Sequence, residues 1–116
     1  MTEKEMVQRI VQLIDEKKGE QIQVIDISGV STIADYFIIA GGSNVRQTQA
    51  ISDEIESQLA KAGHEPKQIE GYRSGNWILL DYGDIVIHIF NSEDRRFYNL
   101  ERIWTDGKVI DDVSKL

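Results

Sequence analysis

The stretch Trp77-Ile78-Leu79-Leu80-Asp81-Tyr82-Gly83-Asp84-Ile85-Val86-Ile87-His88-Ile89-Phe90 decides the fold. Two apolar runs flank a short connection that contains glycine, which is typical of a β-hairpin. In the second run, isoleucines at every other position alternate with Val86, His88 and Phe90, so the two sets lie on opposite faces. The pattern predicts strands over residues 77–81 and 85–90.

The segments before this hairpin predict three further strands. Residues 22–28 are rich in isoleucine and valine and are too short for a helix, and residues 65–70 form another short candidate. The run from Tyr36 to Ala40 is apolar throughout and is closed by two glycines, as expected of a strand covered on both faces.

Helical spacing predicts three helices around these strands. The first spans residues 3–18, begins with a capping box formed by Thr2 and Glu5, and is stopped by Gly19. The second is capped by Ser43 or Asn44 and ends at Gly63. Its inner face consists of Thr48, Ile51, Ile55, Leu59 and Ala62. The third follows Asn91 or Ser92, and its inner face consists of Phe97, Leu100, Ile103 and Trp104.

This order of elements predicts an α/β (α+β) domain, with a mixed sheet of about five strands flanked by helices. We expect residues 1–107 to form this single domain. Residues 108–116 are polar, and we expect them to form a variable, poorly ordered C-terminal tail.

Composition narrows the possible partners. The 116 residues include 13 basic and 20 acidic side chains, a formal charge of −7. Such a charge disfavours a protein that binds nucleic acid or anionic lipid, and it permits a basic protein partner.

Cysteine is absent and only two histidines occur, so thiolate and multi-histidine metal sites are excluded within one chain. The absence of a secretory pattern at the N-terminus predicts a cytoplasmic protein with no membrane attachment.

The turn Gly41-Gly42-Ser43 is one candidate site, because backbone amides at a helix N-terminus can hold phosphate. No lysine follows as in a P-loop, and the three spaced glycines of a dinucleotide site are missing. A tight turn with a helix cap is the favoured interpretation, and a nucleotide site is the alternative.

Asp81, Asp84 and His88 form a second candidate. Two-metal nucleotidyl transfer needs converging carboxylates, whereas a spacing of three residues across a glycine turn does not require these two to point together. The aspartates are interpreted as turn residues and the histidine as a hydrogen-bonded packing residue.

Seven of the nine aromatic residues fall between residues 72 and 104. They indicate either an interface of aromatic anchors with a charged rim or a C-terminal half that holds most of the core. Composition alone does not separate these two interpretations.

Three strings resemble the signatures of the Iojap family, the bacterial ribosomal silencing factors. They are Asp35-Tyr36-Phe37-Ile38-Ile39-Ala40-Gly41-Gly42-Ser43, the stretch from Gly75 to Phe90, and Arg96-Phe97-Tyr98-Asn99-Leu100-Glu101-Arg102-Ile103-Trp104. They occur in the family's order, and the likeness covers most of residues 3–107. The one small departure is Gly41-Gly42-Ser43, where many members have threonine or another small residue before the glycine.

The resemblance implies a translational repressor that is not an enzyme and needs no cofactor or metal. Members bind the large ribosomal subunit through ribosomal protein L-fourteen and block joining of the small subunit. It further implies a fold similar to nucleotidyltransferases without the catalytic acids, and a homodimer in isolation. It assigns seven matching positions to the partner surface: Trp77, Asp81, Tyr82, His88, Arg96, Tyr98 and Glu101. The alternatives are a nucleotide-binding protein or nucleotidyltransferase, and a ribosome assembly factor.

Overall fold

The structure is a computed structural model that describes residues 1–92 and 107–116. In chain order its elements are α1 (Glu3–Glu16), β1 (Glu20–Asp26), β2 (Tyr36–Gly42), α2 (Val45–Lys61), β3 (Gln68–Glu70), β4 (Trp77–Asp81), β5 (Ile85–Asn91), β6 (Lys108–Ile110) and a 3₁₀ helix (Val113–Lys115). The predicted third helix, with Phe97, Leu100, Ile103 and Trp104, lies outside the described residues.

The strands form one mixed sheet in the order β3-β4-β5-β2-β1-β6. The central pair, β2 and β5, is parallel, and every other pair of neighbours is antiparallel. A parallel pair needs a long crossover, which here runs through α2 and the antiparallel strands β3 and β4. The predicted α+β class is therefore confirmed, with six strands in the described residues rather than about five.

The two described helices start where their caps predict. The capping box of Thr2 and Glu5 is present at α1, and Asn44 rather than Ser43 caps α2 by accepting a hydrogen bond from the Gln47 amide. Helix α1 ends at Glu16, two residues before its predicted end, and Lys18 adopts a left-handed φ of 62°.

The sheet separates two apolar clusters. Both helices pack on one face, where their buried side chains join those of alternate strand residues such as Ile38, Ile78 and Ile87. The other face carries a second cluster that includes Phe37, Ile39 and Phe90, contributed by strands and by the segment before β2. The predicted alternation along β5 is therefore confirmed, since its isoleucines face the helices and His88 lies on the second face.

The segment 108–116 is ordered, contrary to expectation. Strand β6 pairs with β1, and Val113 and Leu116 pack against the helix-side core. The Gln8 side chain also donates a hydrogen bond of 3.0 Å to the Val113 carbonyl. The prediction of a poorly ordered tail was wrong because the partners that order it lie about a hundred residues away in sequence.

Candidate partner surface on strand β4

Strand β4 presents three half-buried side chains on the second face of the sheet. Trp77, Leu79 and Asp81 alternate with Ile78 and Leu80, which are fully buried against the helix side. Across the antiparallel pair with β5 they oppose Phe90, His88 and Val86 respectively. We call Trp77, Leu79 and Asp81 the β4 row. Its side chains are partly exposed, and they lie beside the buried aromatic rings of His88 and Phe90.

The orientation of Trp77 is fixed by the residues beneath it. Its indole Nε1–H donates a hydrogen bond of 3.1 Å to His88 Nδ1. Its ring stacks on Phe90, with centroids 5.1 Å apart and an interplanar angle of 29°. The single donor of the indole is therefore used within the chain, and the remaining edge of the ring is apolar.

His88 lies beneath the surface rather than on it. The residue is 5% exposed and packs against Phe37 with ring centroids 4.7 Å apart. Burial lowers its pKa to about 4, so the imidazole is neutral at pH 7. Because Nδ1 accepts from Trp77, the proton sits on Nε2, which is buried and has no hydrogen-bond partner among residues 1–92 and 107–116. His88 therefore lies beneath Trp77 in the isolated chain, and its assignment to the partner surface stays a prediction.

Asp81 combines a turn role with exposure on the β4 row. Its Oδ1 accepts a hydrogen bond of 2.8 Å from the Gly83 amide, and Gly83 has a left-handed φ of 90°. The interpretation of Asp81 as a turn residue is confirmed, and its carboxylate remains half-buried at the end of the row.

Tyr82 points to the opposite side of the sheet. It packs against the helix-side core, and burial followed by the charges of Glu56 and Glu65 raises its pKa to about 12. Successive side chains of an extended chain point to opposite faces of the sheet, so Tyr82 lies on the other face from Asp81. The structure therefore does not bring Tyr82 together with Trp77 and Asp81. Arg96, Tyr98 and Glu101, the other predicted partner residues, lie outside the described residues.

In the Gly41-Gly42-Ser43 turn, the polar groups of Ser43 are hydrogen-bonded to a side chain of α2. Both the amide and the hydroxyl of Ser43 donate to Gln47 Oε1, at 2.6 and 2.7 Å. A Cβ at Gly42 would lie 2.8 Å from the Thr48 side chain, so glycine there allows β2 to approach α2 closely. The geometry favours the interpretation as a turn with a helix cap over a phosphate site.

Three carboxylates meet where no sequence signal predicted a cluster. Glu3 from α1, Asp35 before β2 and Asp84 before β5 have side-chain oxygens within 4.8 Å of one another. Burial, the hydrogen bond to Asp35 and the neighbouring negative charges raise the pKa of Glu3 to about 7, in that order. Asp84 thus lies with Glu3 and Asp35. Asp81 is not a member of this group of carboxylates, the one found in residues 1–92 and 107–116.

The register of the hairpin was the available signal for the contact between Trp77 and His88. A two-residue turn at Gly83-Asp84, across which the Tyr82 amide donates to the Ile85 carbonyl, places Leu79 opposite His88, so Trp77 becomes its diagonal neighbour on the same face. The carboxylate cluster had no comparable signal, because its members come from three separate segments. Among the described helices, none is long and apolar enough to cross a membrane.

The fold is that of a small α+β protein with a six-stranded mixed sheet, and its strand β4 carries a hydrogen-bonded tryptophan on one face of that sheet. The model of a family described as "Ribosomal silencing factor during starvation" matches residues 1–116. The chain belongs to this family of ribosomal silencing factors, which indicates ribosome-associated regulation of translation.

Individual relatives agree with this assignment. The chain is 39% identical to ribosomal silencing factor RsfS of Halalkalibacterium halodurans over 111 residues, which cover 96% of this chain and 95% of the relative. It is 38% identical to the Bacillus subtilis protein of the same name, with coverage of 96% and 94%. A mouse protein named "Mitochondrial assembly of ribosomal large subunit protein 1" is 27% identical over 95% of this chain and 50% of its own length.

Solved structures agree on the fold. A crystal structure of a Chromobacterium violaceum protein superimposes with a TM-score of 0.87 at 30% sequence identity, over 90% of this chain and 88% of that one. The fold described above is therefore shared with this solved structure.

Proposed function

We propose that this protein represses translation by binding the large ribosomal subunit at ribosomal protein L-fourteen, so that the small subunit cannot join. The observation that carries the proposal is the match of the whole chain to the ribosomal silencing factors. The action is steric, in the cytoplasm, and requires neither catalysis nor a cofactor. The protein is a homodimer when free.

The β4 row supplies the proposed contact. Trp77 is an aromatic side chain held at the rim of a buried cluster, which is the kind of residue that dominates binding energy at protein interfaces. Asp81 places a negative charge at the end of the same row. We assign Arg96, Tyr98 and Glu101 to this surface from their positions in the family pattern.

The overall charge supports a basic partner. A net charge of −7 attracts a positively charged ribosomal protein and repels the phosphate backbone of free RNA. Recognition through protein rather than through sequence-specific nucleic-acid contacts is therefore the favoured mode.

The mouse relative, through its name, favours a second candidate, a factor in large-subunit assembly. Such a factor also binds the large subunit, but it prefers precursor particles to mature ones. A nucleotidyltransferase is not favoured, because Gln47 already accepts from the Ser43 amide in the glycine turn and Asp84 lies with Glu3 and Asp35 rather than with Asp81.

Co-sedimentation with purified ribosomal subunits tests the proposal. The protein is incubated with mature large subunits, and small subunits are added second. We expect the protein to pellet with the large subunit and the yield of joined particles to fall as its concentration rises. Retention in the supernatant, or joining at the normal yield despite binding, would contradict repression by occlusion, and preference for precursor particles would favour assembly.

A further inference from the structure

We infer that His88 is a positioning residue for the partner surface: its Nδ1 holds the Trp77 indole in the orientation that the partner binds. This inference rests on the proposed function, because it assigns a role to a residue beneath the proposed contact. His88 itself touches no partner, since it is 5% exposed.

The hydrogen bond from Trp77 to His88 restricts the indole. A half-buried tryptophan can rotate about two side-chain torsions, and a bound partner selects one of the resulting orientations. The bond of 3.1 Å to Nδ1 and the stacking on Phe90 select an orientation before the partner arrives. Ordering a side chain in advance removes part of the entropy cost of association.

The surroundings of His88 keep Nδ1 available as an acceptor. Leu79 lies opposite it on β4 and Ile39 beside it on β2, and Phe37 and Phe90 contact its ring. None of these described neighbours is charged. An unprotonated Nδ1 can accept from the indole, whereas a protonated one would confront it with a second N–H.

The choice of histidine is informative about its role. Its Nε2–H is buried without a partner among the described residues, which opposes folding. An apolar side chain of similar size would avoid that penalty, but it would offer no acceptor to Trp77. Packing alone does not require a hydrogen-bond acceptor at residue 88. The acceptor Nδ1 is therefore the feature of His88 that its contact with Trp77 explains.

His88→Asn and His88→Leu are a matched pair that separates these properties. Asparagine and leucine have nearly the same shape, and both remove the imidazole ring. Asparagine retains an acceptor close to the position of Nδ1, whereas leucine has none. Leucine is also the better residue for a buried apolar site, so we expect the Leu variant to have the higher melting temperature.

Binding is expected to follow the opposite order. In titrations against purified large ribosomal subunits, we expect the Asn variant to bind about three- to ten-fold more tightly than the Leu variant. In nuclear magnetic resonance spectra, the Trp77 indole N–H signal, assigned with Trp77→Phe, should stay near its wild-type position in the Asn variant and shift in the Leu variant. In a Trp77→Phe background, the two replacements at His88 should bind equally, because the donor is gone.

Three outcomes overturn the inference. If wild-type protein binds and the Asn and Leu variants bind equally, His88 does not position the contact. If binding follows the melting temperatures, so that Leu exceeds Asn, the role of His88 is structural. If wild-type protein does not bind large subunits at all, the proposed function fails and the positioning role fails with it.

Discussion

Glu3 and Glu5 lie in the same turn of α1, yet the fold moves their pKa values in opposite directions. Burial, the hydrogen bond to Asp35 and the nearby negative charges raise the pKa of Glu3 to about 7. The Thr2 amide donates to the Glu5 carboxylate in the capping box, and this bond and the bond from the Thr2 hydroxyl lower the pKa of Glu5 below its usual value. Local sequence predicted the second arrangement, because all its atoms lie within four residues.

The two glutamates predict opposite pH dependences of stability. A raised folded pKa means that Glu3 stabilises the fold below its unfolded value of 4.5, and that this contribution is lost as the pH rises through about 7. The lowered pKa of Glu5 means that its contribution is present above 4.5 and is lost as the pH falls. The melting temperature of Glu3→Gln relative to wild type should therefore rise from about pH 5 to about pH 8.

Glu5→Gln is the control for this prediction. Its melting temperature relative to wild type should fall as the pH rises from about 3 to about 6. Thermal unfolding followed by circular dichroism measures both series. The assignment of the acidic cluster is wrong if the two variants show the same trend.

At the scale of the element, β6 shows how a short segment gains order from distant partners. Its three residues pair with Val24, Ile25 and Asp26 of β1, and a segment of three residues is too short to predict a strand on its own. Ile110 packs against the helix-side core, whereas Val109 is 46% exposed. The apolar contact of the segment is therefore concentrated on one of its two faces.

Truncating the side chains of Ile110 and Val109 should separate the contribution of core packing from that of intrinsic β-strand propensity. We expect Ile110→Ala to reduce the free energy of unfolding by about 2 kcal/mol, the low end for a large-to-small change, because Ile110 is only partly buried. Val109→Ala should change it by less than about 0.5 kcal/mol. Chemical denaturation measures both, and equal small effects would contradict the packing of the Ile110 side chain against the helix-side core.

At the scale of the whole molecule, charge and anchoring act on different steps of binding. The charge of −7 accelerates encounter with a basic partner, whereas a desolvated aromatic contact slows dissociation. Single charges at the rim of an interface contribute about 0–1 kcal/mol, and an aromatic anchor contributes about 2 kcal/mol or more.

Trp77→Ala or Tyr98→Ala should therefore weaken binding to the large subunit more than Asp81→Asn does. Asp81→Asn retains an oxygen for the Gly83 amide, so it removes charge without removing the turn contact. Surface-immobilised large subunits allow both rate constants to be measured. The aromatic variants should mainly raise the dissociation rate, and raising the salt from about 50 to about 300 mM should mainly lower the association rate of wild-type protein.

Folding controls keep this comparison interpretable. Trp77 is half-buried, so its replacement by alanine could lower stability, and the melting temperature of each variant is measured first. Losses for the aromatic variants no larger than for Asp81→Asn, in folded proteins, would contradict the assignment of the anchor.

The sequence by itself determined β1 to β5, the capping box of α1 and the opposite faces of β5, because alternation and capping depend on neighbours a few residues apart. Its matches to the family strings predicted the family, which the match of the whole chain confirmed. Only the tertiary structure decided that Tyr82 faces the helices, that His88 lies beneath Trp77 rather than at the surface, and that residues 108–110 complete the sheet. These features depend on which distant segments pack together, and that is settled by the burial of whole faces rather than by any local pattern.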